Sequence, residues 1–156
     1  MKTQVEMMAL VPQKLKEIEE IYGVEVLWSV ESGSRDWGFA SPDSDFDVRF
    51  IYKRKAQDYF KLTPDRDVIE LPIDETWDVS GWDLDKTLKL LAKSNPALFE
   101  WMNSPIVYIH TDFAARLAPL LPIDLVRDGL TVKISLNFRD GLFNIGMNIH
   151  NWGYFC

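Results

Sequence analysis

The chain has almost no cysteine: of its 156 residues only Cys156, at the last position, carries a thiol. An intramolecular disulfide is therefore excluded, and a reducing, cytoplasmic compartment is the natural expectation. Long apolar runs are missing as well. No stretch approaches the ~20 residues that a bilayer-spanning helix needs. The opening MKTQVEMMALVPQ lacks the extended apolar core of a signal peptide, so no membrane association is expected. Basic charge is in deficit, with 17 Lys and Arg against 24 Asp and Glu and a net charge of −7. A protein that grips duplex nucleic acid by its phosphates needs a basic face. The acidity weighs mildly against that class, because catalytic carboxylates themselves add negative charge. Histidine is scarce too; His110 and His150 have no metal-ligand spacing and read as structural.

What is present suits one folded domain. Hydrophobic residues make up 47% and charged residues 26%, values at which a packed core is expected and disorder is not. Residues 13–22 (QKLKEIEEIY) place apolar side chains at helical spacing, and Gly23 follows as a stop. Residues 24–30 (VEVLWSV) read as a buried strand, 31–44 as a Gly/Ser/Pro/Asp-rich loop, and 45–52 (DFDVRFIY) as a second strand. A polar excursion follows over 53–64, and 68–79 is strand-like but broken by Pro72. Helices are expected over 84–92, capped by Asp83, over 96–102, and over 112–121, with a short strand over 106–109. Alternating helices and strands through the first 120 or so residues predict an α/β (α+β) domain, a small mixed sheet flanked by helices. Residues 1–122 form this core, whereas 123–156 have mixed periodicity and read as an irregular tail.

The chemistry gathers at Asp45 and Asp47. Residues i and i+2 of a strand share a face, so the two carboxylates are expected side by side, roughly 6.5–7 Å apart at Cα. Such carboxylates repel unless a cation lies between them. Mg²⁺ (or Mn²⁺) is the natural guest, because it accepts a few carboxylates together with water and substrate phosphates. Upstream, the turn Ser32-Gly33-Ser34 directly follows the first strand. Gly33 permits close approach of a phosphate, Ser34 offers a hydroxyl, and Arg35 offers a cation.

Two competing explanations of the same residues fail on spacing. Asp43, Asp45 and Asp47 mimic the first positions of an EF-hand loop, but Val48 stands where glycine is needed and Arg54 where glutamate is needed. Gly33 and Gly38 have P-loop spacing, but Phe39 and Ala40 replace the lysine and hydroxyl residue. Metal-dependent glycosyltransferases also use Asp-x-Asp, but this chain is short for one.

The segment ESGSRDWGFASPDSDFDVRFIY resembles the signature of the DNA polymerase β-like nucleotidyltransferase superfamily. With YFKL and DVSGWDLDKTLKLLAKSNPALFEWMNSPIVY downstream, it is similar to the branch of predicted nucleotidyltransferases linked to RNA repair, over about residues 13–122. The resemblance implies a small mixed sheet flanked by helices. It also implies transfer of a nucleoside monophosphate from an NTP to a hydroxyl, with an RNA end as one candidate acceptor. By position, Gly33 and Ser34 match the triphosphate-binding turn, and Asp45 and Asp47 match the first two metal ligands. The third carboxylate is expected at Asp78, which would also serve as base; Asp83 is the rival, and Asp74 and Glu75 are weaker.

Other residues carry lesser expectations. Arg49, one strand repeat past Asp47, either meets a phosphate or pairs with the aspartates. Lys53, Arg54 and Lys55 read as a solvated turn or an acceptor contact, and Lys86, Lys89 and Lys93 as the exposed side of a helix. Asn95 reads as a cap and Glu100 as a supporting residue. Trp37, Trp77 and Trp82 read as core, with base stacking as the alternative. Relatives have a helical C-terminal half that this tail does not continue. The runner-up function is therefore a non-catalytic nucleotide- or metal-binding module.

Overall fold

The structure is a computed structural model that describes residues 3–33, 45–72, 77–93 and 95–117 in full, and the backbone of 123–128, 131–138 and 141–148. Helix α1 spans Gln4–Tyr22, nine residues longer at its start than its apolar spacing predicts. A capping box accounts for the extension: Thr3 Oγ1 accepts from the Glu6 amide, and the Glu6 carboxylate accepts from the Thr3 amide. Pro12 lies inside the helix and costs about 3 kcal/mol. Burial of Met7, Val11, Leu15 and Ile18 along one face offsets it, at roughly 1.5–3 kcal/mol per side chain. The helix stops at Gly23, whose φ of 64° lies in the left-handed region.

Five strands form the main sheet: β1 (Glu25–Ser32), β2 (Phe46–Lys53), β3 (Val68–Glu70), β4 (Trp77–Asp83) and β5 (Val107–His110). Their order is β3-β4-β2-β1-β5, with β2 and β4 parallel and every other pair antiparallel. The sequence expectation of one interrupted strand over 68–79 resolves into β3 and β4, and β4 continues to Asp83. Gly81 makes this possible, because a Cβ there would lie 2.2 Å from Phe50 Cε2, whose ring crosses the glycine. The polar excursion carries a single 3-10 turn, Ala56–Phe60.

Alternation along β2 divides the core in two. Phe46, Val48, Phe50 and Tyr52 pack beneath α1, together with Val79 and Tyr108. On the other face Trp28, Val30 and Ile51 meet the remaining helices, α2 (Leu84–Ala92), α3 (Pro96–Met102) and α4 (Asp112–Leu117). Asp83 caps α2 by accepting from the Asp85 amide, and Asn95 caps α3 by accepting from Ala97 and Leu98. This is an α+β domain with a mixed sheet flanked by helices, as the alternating pattern predicted.

Residues left without elements in the sequence reading form a second antiparallel sheet of β6 (Ile123–Asp128), β7 (Thr131–Phe138) and β8 (Gly141–Asn148). In β7 the sequence alternates Val132, Ile134, Leu136 and Phe138 with Lys133, Ser135 and Asn137, a strand period.

Candidate active site

The parallel pairing of β2 with β4 places Asp47 opposite Asp78. Both belong to the sheet face that carries α2 and α3, since Phe46 and Val48 on either side of Asp47 pack beneath α1. Arg49 lies between the two carboxylates. Its Nη2 donates to Asp47 Oδ1 at 3.1 Å and to Asp78 Oδ2 at 2.7 Å, and its Nη1 donates to the Asp78 carbonyl at 3.3 Å. Of the two roles expected for Arg49, pairing with the aspartates is the one the structure displays. Two carboxylate oxygens that reach one guanidinium nitrogen are aimed at a common point.

Gly33 closes the site from the end of β1. Its φ is 74°, and a Cβ there would lie 2.3 Å from Asp47 Oδ2. The glycine of the turn thus serves a carboxylate as well as any phosphate, allowing the backbone to lie against Asp47. The neighbouring Ser32 Oγ donates to Glu100 Oε1 at 3.2 Å, which ties β1 to the buried carboxylate of α3.

Electrostatics follow from this crowding. Burial pushes the Asp47 carboxyl above its ordinary value of 3.8; Arg49 opposes the shift, while Asp78, Asp45 and Glu100 reinforce it. Asp45 is exposed and immediately precedes β2, so it flanks the pair from the loop side rather than from within the strand. Among the described residues no group of three or more His, Cys, Asp or Glu side chains comes together as a ready-made metal cage. The donor set is nevertheless one that suits a hard divalent cation: carboxylate oxygens alone, open on one side to substrate and water.

The remaining predicted residues fall into place as follows. Asp83, the rival third carboxylate, lies opposite Tyr52, five residues along β4 from Asp78, and caps α2 while pairing with Arg54 Nε at 3.0 Å. Lys53 pairs with Glu25 at 2.9 Å, so Lys53 and Arg54 are engaged at the end of β2 remote from Asp47. Lys86 and Lys89 pair with Asp67 and Asp85. Trp82 stacks on Trp101 at 3.7 Å between centroids, and Trp77 packs against the cluster beneath α1. His110 is exposed and meets Trp28 edge-on. Ser34, Arg35, Trp37, Asp74, Glu75 and His150 lie outside the described residues.

One residue escapes sequence reasoning altogether. Glu31 has no exposed surface, yet it reads as the first polar residue of a loop. Its Oε1 accepts from the Asp47 amide at 2.9 Å and its Oε2 accepts from the Tyr108 hydroxyl at 2.6 Å. Burying a carboxylate costs several kcal/mol, and each hydrogen bond to a charged group returns about 1.5–3 kcal/mol. The only signal for Glu31 in the sequence is that strand alternation from Ser29 carries it beneath α1.

A five-stranded mixed sheet flanked by helices is consistent with the fold of the polymerase β-like nucleotidyltransferases. Residues 7–123 match the model of the RlaP family, described as the RNA repair pathway DNA polymerase beta family, and the chain belongs to that family. It is also similar to "Uncharacterized protein YcgL" of Bacillus subtilis (strain 168), at 59% identity over 95 residues. That match covers 61% of this chain and 36% of the relative, so the chain spans little more than a third of that protein's length. No solved structure matches it significantly. No helix among the described residues is long and apolar enough to cross a membrane.

Proposed function

We propose that the chain is an Mg²⁺- or Mn²⁺-dependent nucleotidyltransferase that moves a nucleoside monophosphate from an NTP to a hydroxyl, with an RNA end as acceptor. One observation carries this reading: Asp47 and Asp78 face each other across parallel strands with Gly33 packed against Asp47. Asp45, Asp47 and Asp78 hold the cation, and Gly33, Ser34 and Arg35 hold the β- and γ-phosphates. A divalent ion held by these residues would lower the pKa of the acceptor hydroxyl and neutralise charge on the departing pyrophosphate. Asp78 accepts the hydroxyl proton; the oxygen forms its bond to the α-phosphorus as the bond to pyrophosphate breaks. Arg49, already paired with both aspartates, holds them in register and offers a cation to a phosphate oxygen.

The test is incubation with each labelled NTP and total RNA, with and without Mg²⁺. Label should pass to RNA with one preferred NTP, and Asp47→Asn and Asp78→Asn should abolish transfer while remaining folded. Full transfer by either variant overturns the assignment. The second reading is a non-catalytic nucleotide- or metal-binding module, and the chain's cover of only 36% of its relative's length is the observation behind it. Calorimetry showing Mg-NTP binding without transfer to any acceptor supports it.

A further inference from the structure

We propose that Glu31 is a positioning residue that fixes Asp47 from the opposite face of the sheet; this rests on the reading of Asp47 as a cation ligand. Asp47 aims its carboxylate at the α2/α3 face, where Arg49 meets it. Glu31 lies beneath α1, opposite to its neighbour Val30, which packs with Trp28 and Leu98. Glu31 therefore grips the backbone of Asp47 and leaves the carboxylate to the site.

Three features distinguish this grip from ordinary core polarity. The contact falls at the last residues of the β1–β2 ladder, where Ser32 pairs with Asp47 and the chain then turns at Gly33. Strand ends fray, and here a side chain supplies the acceptor for the Asp47 amide. The carboxylate is itself held: Tyr108 donates to it, and Gln4 Nε2 donates to the Tyr108 hydroxyl at 3.2 Å. The Glu31 main chain is pinned as well, with its amide donating to Ile106 and its carbonyl accepting from Ser104 Oγ. A line of hydrogen bonds thus runs from the first turn of α1 through β5 and β1 to Asp47. Because an aliphatic side chain would fill the same space without desolvating a charge, the carboxylate adds direction rather than stability. Direction matters at Asp47, since displacing a reactive group by ~1 Å costs about 10²-fold in rate.

The full chain is titrated with Mn²⁺ alone by calorimetry, in wild type, Asp47→Asn, Glu31→Leu, Glu31→Gln and Tyr108→Phe. Amide exchange at Asp47 and thermal midpoints are followed in parallel. Glu31→Leu should keep its thermal midpoint, weaken Mn²⁺ binding about tenfold, and speed exchange of the Asp47 amide at least tenfold. Glu31→Gln, which keeps an acceptor for that amide without the charge, should restore both to within threefold of wild type. Tyr108→Phe, which removes one donor to Glu31, should weaken Mn²⁺ binding about threefold; it carries the test alone if Glu31→Leu does not fold. Unchanged Mn²⁺ affinity in Glu31→Leu or Tyr108→Phe overturns the inference. So does failure of glutamine to rescue, which would mean that the charge acts and the position does not. If wild type and Asp47→Asn bind Mn²⁺ equally or not at all, the metal-ligand reading itself fails, a result distinguishable from the others.

Discussion

Gly33 and Asp47 meet so closely that neither can change without the other. Among the described residues two glycines have positive φ, Gly23 at 64° and Gly33 at 74°, and an L side chain is strained at both. They differ in surroundings: a Cβ at Gly23 has no neighbour within 4 Å, whereas one at Gly33 runs into Asp47 Oδ2. Gly23→Ala should cost about 1–2 kcal/mol of stability and leave NTP transfer intact. Gly33→Ala should cost at least as much and also abolish transfer. Urea unfolding and labelled-NTP assays on the pair check this, and equal activity would show that the Asp47 contact has no role.

Asp47 invites a second residue-level test. Its carboxyl is held above 3.8 chiefly by burial, so the folded state binds this proton more tightly than the unfolded chain does. The favourable contribution is present at low pH and lost as pH rises through the raised value. At pH 7 the charged side chain is a liability that Asn removes. Asp47→Asn should therefore melt at or above the wild-type temperature at pH 7, with the advantage shrinking as pH falls toward 3.8. Thermal scans across pH check it. The place of Asp47 on the second strand and of Gly33 in the turn after the first was legible in the sequence pattern. Glu31 was not, because a glutamate before Ser-Gly-Ser resembles any loop residue until the strand is known to continue beneath α1.

Among the elements, the helix α2 and strand β4 meet at Asp83, a junction that separates structural from chemical carboxylates. Asp83 has 3% of its surface exposed, caps α2 and pairs with Arg54, which also donates to the Arg66 carbonyl at 2.7 Å. Removing it loses a cap worth about 1 kcal/mol and leaves the largely buried Arg54 guanidinium only the longer carboxylate contact, with Asp65 at 4.0 Å, at up to about 3–5 kcal/mol. Asp83→Ala should lose about 3 kcal/mol or more in urea unfolding, while Asp83→Asn keeps the cap and loses less. Neither should alter Mn²⁺ affinity, since Asp83 lies at the end of β4 remote from Asp78. A large change in Mn²⁺ affinity would return Asp83 to candidacy as the third ligand.

The elements themselves were legible where periodicity was unbroken. The first two strands and the helices at 84–92 and 96–102 follow from alternation, apolar spacing and caps. The first turns of α1 were hidden because Pro12 interrupts the pattern, although Thr3 and Glu6 carry the capping-box signal. The parallel pairing of β2 with β4 was not legible. Strand partners depend on tertiary packing, and nothing local to Asp47 names Asp78 as its neighbour.

At the scale of the molecule, the site exists only when distant segments have docked. Gly33 follows β1, Asp47 belongs to β2, Asp78 to β4 and Glu100 to α3, so no local fragment carries more than part of it. The molecule is also acidic, at −7, and two of its carboxylates, Asp47 and Asp78, meet here on one guanidinium. On the proposed function, a divalent cation with NTP would bind the site only in the folded state and would stabilise that state by RT ln(1 + [L]/Kd), about 2.7 kcal/mol at a hundredfold excess over Kd. For a chain of this size that corresponds to a rise in Tm of roughly 5–10 °C. Mg²⁺ and NTP together should produce the rise in wild type, and NTP without metal should produce little, because like charges at Asp47, Asp78 and Glu100 repel a bare triphosphate. In Asp47→Asn with Asp78→Asn the rise should vanish even though the sheet remains intact. Differential scanning across these four combinations reads the coupling directly. An equal rise in the double variant would place the nucleotide elsewhere on the molecule.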